Sequence, residues 1–352
     1  MNYKIKEGNY EKQGVQQLGK WTIFTFEGEK EDDCSVVLLN NEKEVVEKIE
    51  VPKEYCMGSL RSVAVENLKT DELLYMFEVN GKRVLDPYAH RIVGREVWND
   101  EKRMPDAVYG AFVPYGFAWG DDRSPEIDRS QMIMYKLHVR GFSMDAKAST
   151  TNGTFQAVSA RIPYLQGIGV TTVELMPVYE FEERIFPEEK VLPDYIQWEA
   201  EDADMIVPPE ETKVLPKLNF WGYTKGNYFA VKSSYARNAA KASMEYKTLI
   251  RKLHQHGMEC VMEFFFPEGT DQNLILAALR FWVREYHVDG FHLLGENLPM
   301  TAIAQDKRLS RTKIFYTDFG DAGENGAQLP QSVCLQGRIS VSGAQDAQSF
   351  WI

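Results

Sequence analysis

Cys260-Val261-Met262-Glu263-Phe264-Phe265-Phe266 is the stretch on which the fold turns: six apolar residues with one carboxylate among them. A run this apolar, without strict alternation, reads as a strand covered on both faces, the burial that parallel sheets require. Just upstream, Tyr246, Leu249, Ile250 and Leu253 fall on one face of an amphipathic helix that Gly257 stops. Just downstream, Leu274, Ala277, Ala278, Phe281 and Trp282 predict a second helix, leading to a strand from Val288 to Leu294. The same texture extends outward. Met132 to Leu137 predicts an earlier strand, Ile162, Leu165 and Ile168 a helix ended by Gly169, Val170 to Val178 the next strand, and Lys313-Ile314-Phe315-Tyr316 one more. Strands alternating with helices imply an α/β fold built on a parallel sheet, here over residues 131–322 with about five strands.

Before this region the texture differs. Trp21-Thr22-Ile23-Phe24-Thr25-Phe26, Ser35-Val36-Val37-Leu38-Leu39 and Leu73-Leu74-Tyr75-Met76-Phe77-Glu78-Val79 are short β-branched and aromatic runs between turn signals. They predict an all-β, immunoglobulin-like sandwich over residues 1–100. Asn80-Gly81 supplies the two positive-φ residues of a tight hairpin turn. Asp86-Pro87 breaks the pattern, and residues 101–130 read as an irregular linker.

Composition narrows the function classes. With 44% hydrophobic and 26% charged residues, the 352-residue chain has the balance of a packed globular protein, which excludes collagenous and disordered classes. A net charge of −12 disfavours nucleic acid and acidic membrane surfaces as partners. No run approaches membrane-spanning length, and no apolar segment follows the first basic residues, so the expectation is a cytoplasmic protein. Twelve acidic residues against three basic ones crowd the interval from Glu180 to Lys213, which reads as a solvated surface excursion. Cys34, Cys56, Cys260 and Cys334 are scattered, and His254 and His256 point to different helix faces, so neither a metal site nor a cofactor is expected.

Several ordered motifs resemble glycoside hydrolase family 13, specifically its isoamylase, pullulanase and glycogen-debranching branch. They are Met134-Tyr135-Lys136-Leu137-His138-Val139-Arg140-Gly141-Phe142, Gly153-Thr154-Phe155, Gly169 through Val178, Asn219-Phe220-Trp221-Gly222-Tyr223, Asn227-Tyr228-Phe229-Ala230, and Trp282 through Phe291. The resemblance covers most of Tyr75 to Asp318. It implies a carbohydrate-binding-like sandwich followed by a (β/α)8 TIM barrel, and an α-glucan or oligosaccharide as ligand. The long excursion after the second strand would then lie on the barrel's C-terminal face, where such folds place substrate contacts.

The residues the family's chemistry needs are replaced. Its nucleophilic Asp falls at Leu294, the Arg beside it at His292 and its acid/base Glu at Thr317, with Asp318 one register off. The strand-three Asp, Asn and His fall at Glu263, Pro267 and Glu268. Retaining hydrolysis needs two carboxylates about 5 Å apart, and no catalytic residue is assigned. Tyr223, Trp221, His292 and Glu263 stand as substrate-binding candidates, with packing at the barrel mouth the other reading of Trp221 and Tyr223. Relocated carboxylates drawn from Glu263, Glu268, Glu296 and Asp318 would make an active α-1,6-glucan hydrolase, and a non-catalytic subunit of a glucan enzyme is a third possibility. Residues 323–352 are rich in Gln, Ser, Gly and Ala and align with no further barrel strand. The expectation is therefore a partial barrel with an unpaired fifth strand, either a truncated or frame-altered form of a longer protein or one completed by a partner chain.

Overall fold

Side chains alternate across the central strands of the computed structural model, and this alternation separates core from site. The structure describes residues 3–103, 107–113, 116–144, 149–185, 216–318 and 332–335. Five parallel strands are neighbours in chain order: β1 (Met134–Leu137), β2 (Thr172–Leu175), β3 (Glu259–Phe266), β4 (Gly290–Gly295) and β5 (Lys313–Asp318). Between β1 and β2 lie the short helices α1 (Phe155–Ala160) and α2 (Ile162–Gly167); α3 (Ala242–Gln255) precedes β3 and α4 (Gln272–Tyr286) follows it. Val173, Leu175, Cys260, Met262, Phe264, Phe291 and Leu293 form one sheet face, in a core shared with Leu249, Ile250, Leu253, Ile275, Leu279 and Trp282 of α3 and α4. Each such large side chain contributes roughly 1.5–3 kcal/mol on burial. The intervening strand residues, among them Glu174, Glu263, His292 and Thr317, belong to the other face.

Local chemistry sets the helix ends. Asp271 caps α4 by accepting from the Leu274 amide at 2.8 Å, and His287 ends the helix in the left-handed region. Gly257 does the same after α3, at φ +68. Gly290 begins β4 where a Cβ would lie 2.8 Å from the Lys313 carbonyl oxygen. Its bare backbone lets Lys313 of β5 approach, and that lysine is ion-paired with Glu259 of β3.

The sandwich expectation holds as two antiparallel sheets. Ile5–Glu7, Leu60–Glu66, Trp21–Glu27 and Gly14–Leu18 follow one another in the first. The second runs Ile92–Val93, Tyr109–Ala111, Leu74–Val79, Cys34–Leu39 and Val45–Val51. Asn80 and Gly81 both take positive φ and connect Leu74–Val79 to Lys82–Val84. Phe26 and Phe77 stack between the sheets at 4.1 Å. Tyr75 is 1% exposed in this core.

Three expectations require correction. The 101–130 interval is more than a linker, because Tyr109–Ala111 is a strand of the second sheet and Asp122 binds His254 (3.0 Å) and His287 (2.7 Å). The fifth parallel strand is paired: β6 (Ser332–Leu335), from the segment that aligned with nothing, lies antiparallel along β5. The start of the acidic excursion is not solvated either. Glu180 and Glu183 are fully buried and both bind the buried Lys232 ammonium at 2.7 Å, while Glu182 pairs with Arg103 and Arg95. These contacts order Tyr179–Phe181 against Gly226–Val231 and tie residues 95–103 to the sheet's carboxyl end. The rest of the acidic run, residues 186–215, lies outside the described residues.

Replacing Lys232 by Met should leave two carboxylates buried without their cation and cost about 3–5 kcal/mol. A urea-unfolding midpoint within error of wild type would show that the cluster does not hold the excursion in place.

Candidate functional site

The register of the parallel sheet lines up one polar residue from each strand. Lys136 of β1 lies opposite Glu174 of β2; Glu174 lies opposite Val261, so Glu263 is the next residue along β3 on the same face. Glu263 lies opposite His292 of β4, and His292 lies opposite Phe315, two residues before Thr317 of β5. Because residues i and i+2 share a face, this stagger makes a diagonal row of Lys136, Glu174, Glu263, His292 and Thr317.

The row is hydrogen-bonded end to end. Lys136 is ion-paired with Glu263, and the Tyr223 hydroxyl donates to the other Glu263 oxygen at 2.9 Å. Lys136 also donates to the Tyr223 hydroxyl at 3.3 Å. His292 Nδ1 meets Glu174 at 2.7 Å and lies 3.7 Å from Glu263, while its Nε2 meets the Thr317 hydroxyl at 3.0 Å. Glu263 is inaccessible to solvent and Glu174 nearly so.

Burial, followed by the charge of Glu174, pushes the Glu263 carboxyl up to about 7, with Lys136 working against the rise. Glu174 moves the other way. Burial raises it, but the hydrogen bond and charge of His292, with the hydrogen bond from Glu263, carry it below the usual carboxylate range. Two like charges this close repel, so the pair titrates together and Glu263 holds its proton to higher pH than Glu174.

Glu174, Glu263 and His292 also bring one potential ligand atom each within 4.8 Å of one another, and they are the one such group among the described residues. With the Lys136 ammonium already on Glu263, the local positive charge comes from the chain itself.

Of the four substrate-binding candidates, the structure brings together Glu263, His292 and Tyr223. Trp221 is set apart at the rim, 53% exposed, edge-on to Phe220 at 5.1 Å and to His138 at 6.0 Å. His138 is a packing residue: buried, stacked on Phe220 at 4.2 Å and bonded to the Tyr235 hydroxyl at 2.9 Å, with burial lowering its pKa to about 4. Leu294 is buried opposite Thr317. Glu268 is exposed and Glu296 half-buried.

Two members, Lys136 and Glu174, received no role from the sequence. The signal was present, since each is a lone charge inside an apolar strand, and a charge buried in a sheet requires a partner.

Comparison with known proteins follows from this geometry. No family model matches the chain. Isoamylase 3 of rice chloroplasts (Oryza sativa subsp. japonica) is 27% identical over 354 aligned positions, covering 77% of this chain and 43% of that protein. Pullulanase A of Streptococcus pneumoniae is 27% identical over 78% of this chain and 22% of its own length. A glycogen operon protein GlgX homologue of Haemophilus influenzae is 24% identical over 76% of this chain and 48% of its own. The chain thus spans less than half the length of these relatives. Among solved structures, the catalytic module of the pneumococcal glycogen-degrading virulence factor SpuA superposes with a TM-score of 0.65 at 18% identity, over 91% of this chain and 52% of that one. Pullulanase from Paenibacillus barengoltzii, solved with maltohexaose and α-cyclodextrin, gives 0.59 at 19% identity, over 82% and 49%.

The raised Glu263 carboxyl has a measurable consequence. A carboxyl held at about 7 in the fold, against 4.5 ordinarily, stabilises the protein fully below pH 4.5, and that contribution is lost as pH rises through 7. Glu263→Gln, which cannot ionise, should therefore gain stability relative to wild type between pH 5 and 8, by on the order of 1–3 kcal/mol. Parallel denaturation curves across that range would rule out a proton on Glu263.

Proposed function

We propose, on the premise that this chain is a relative of the isoamylase, pullulanase and GlgX debranching enzymes of glycoside hydrolase family 13, that it is an α-glucan-binding protein of glycogen or starch metabolism without hydrolase activity. One observation carries the reading: both buried carboxylates are already bound by the chain's own side chains, Glu263 by Lys136 and Tyr223 and Glu174 by His292. Double displacement needs carboxyls about 5 Å apart with the sugar between them. Here Lys136 and His292 stand against the carboxylates, and the nucleophile's position holds the hydrocarbon of Leu294.

The alternative, an active debranching hydrolase with relocated carboxylates, draws on one fact in its favour. Glu263 is raised and Glu174 lowered, the divergence that acid/base pairs show. The Lys136 ion pair on Glu263 and the His292 hydrogen bond on Glu174 leave neither carboxylate open to a sugar.

What supports glucan contact is the rim. Trp221 offers an exposed indole and Tyr223 a partly exposed ring at the same edge of the sheet, and aromatic faces suit the C–H side of a glucosyl ring. With the centre self-occupied, the ligand would lie across the rim rather than insert a terminal residue. A partial barrel, here five parallel strands, belongs to the same proposal. So does a role as non-catalytic subunit, in which a partner chain extends the outer edge of β1, which has no strand neighbour among the described residues. No described helix is long and apolar enough to cross a membrane, and a cytoplasmic setting accompanies the reading.

Native-gel mobility in glycogen tests it. Wild type should be retarded and Trp221→Ala should migrate with about tenfold weaker apparent affinity. Identical mobility of wild type with and without glycogen would remove glucan binding from the proposal.

A further inference from the structure

The segment that joins the sandwich to β1 passes the amino-terminal ends of β3 and β5, where the Ile127 amide donates to Glu259 at 2.8 Å and Lys313 donates to the Ile127 carbonyl at 2.6 Å. From 116 to 131 no residue is buried as a whole. Its other attachments are few: Arg251 of α3 donates to the Ala118 carbonyl at 2.7 Å, and Trp119 stacks on His287 at 3.8 Å. A stretch held by polar contacts rather than buried apolar surface opens at a lower cost than the core beneath it. Asp122 is its enclosed charge, with a side chain 1% exposed.

His254 of α3 stands between Asp122 and Asp289, Nδ1 3.0 Å from the first and Nε2 3.0 Å from the second, with its own side chain and that of Asp289 2% exposed. Asp289 Oδ2 already accepts the Cys260 amide at 2.8 Å, and Asp122 also faces His287 Nδ1 at 2.7 Å, so both carboxylates act as acceptors. A neutral imidazole has one N–H, and two acceptors require two. The geometry thus fixes His254 as an imidazolium between two enclosed negative charges. His287 needs one N–H toward Asp122, which a neutral ring supplies. The other charges nearby are engaged, Glu259 by Lys313 and Arg251 by Ala118, while burial pushes the Cys260 thiol and the Tyr246 hydroxyl up and keeps both neutral. Asp289 Oδ1 is buried without a partner, so the charge of His254 is the main compensation that carboxylate has.

We propose that His254 is a proton-operated fastener for the interdomain segment: doubly protonated it holds Asp122 down, and on losing one proton it lets residues 117–128 lift away while the sheet stays folded. Burial opposes the charge, but the two aspartates outweigh it and raise His254 above the ordinary 6.5. The closed form keeps the proton and the open form has an ordinary imidazole, so the hold is complete below pH 6.5. It is lost as pH rises from there through the raised value, with opening favoured about tenfold more per pH unit.

Hydrogen exchange of the whole chain, followed by mass spectrometry from about pH 6 to about pH 9 and corrected for intrinsic exchange rates, tests this linkage. Peptides covering residues 117–128 should lose protection about tenfold per pH unit above 6.5, while those covering β3 and β4 keep theirs. Asp122→Asn, which leaves the core untouched, should lower the protection of 117–128 at the acid end and flatten its pH dependence. His287→Gln should retain that dependence. A wild-type segment with no pH dependence, or one that loses protection only together with β3, would overturn the proposal. So would Asp122→Asn with the wild-type profile, or a flat profile in His287→Gln.

Discussion

A charge placed inside a sheet covered on both faces has no water to solvate it, so every ionisable residue on the interior of β1 to β5 must find its partner within the chain. Desolvation of an unpaired carboxylate costs several kcal/mol. Lys136, Glu174, Glu263 and His292 meet this constraint collectively: one ammonium, one tyrosine hydroxyl and one imidazole satisfy two buried carboxylates. Where a hydrolase must keep a carboxylate available to substrate, this arrangement consumes it. In the reading proposed here, the row that stabilises the interior also closes it to chemistry and leaves the exposed aromatics at the rim to meet a glucan.

The same constraint organises the sheet's periphery. Lys232 sits fully buried between Glu180 and Glu183, and Lys313 pairs with Glu259 across β4 because Gly290 leaves room. His254 is a third case. Burial opposes its positive charge, but the carboxylates of Asp289 and Asp122 outweigh that and raise its pKa. Through Asp122 it holds the segment joining the two domains against α3. Opposite charges far apart in sequence thus tie the excursion, the interdomain segment and the sheet to one another.

Much of this was legible in the sequence, and the reason differs by element. Apolar periodicity placed α3, β3, α4 and β4 to within a few residues because each must bury one face against the next. Asn80-Gly81 announced its hairpin through its own conformational preference. Glu263 and His292 were singled out from the strand positions that the resemblance assigns, and Tyr223 from the Asn219 to Tyr223 motif. Lys136 and Glu174 were missed although they lie inside those motifs, since pairing across strands depends on register, which a single strand does not disclose. The burial of Glu180 and Glu183 was missed because an acidic run looks solvated until Lys232, some fifty residues later, is seen between them. Pairing of Ser332–Leu335 with β5 had no signal beyond a short apolar run in a polar segment.

Reducing-sugar release from pullulan and branched dextrin by the purified chain is the most direct measure of whether its interior is closed. No turnover above buffer is predicted, for wild type and for Glu263→Gln alike. Steady release by wild type that Glu263→Gln abolishes would contradict the closed centre and make Glu263 a catalytic carboxylate.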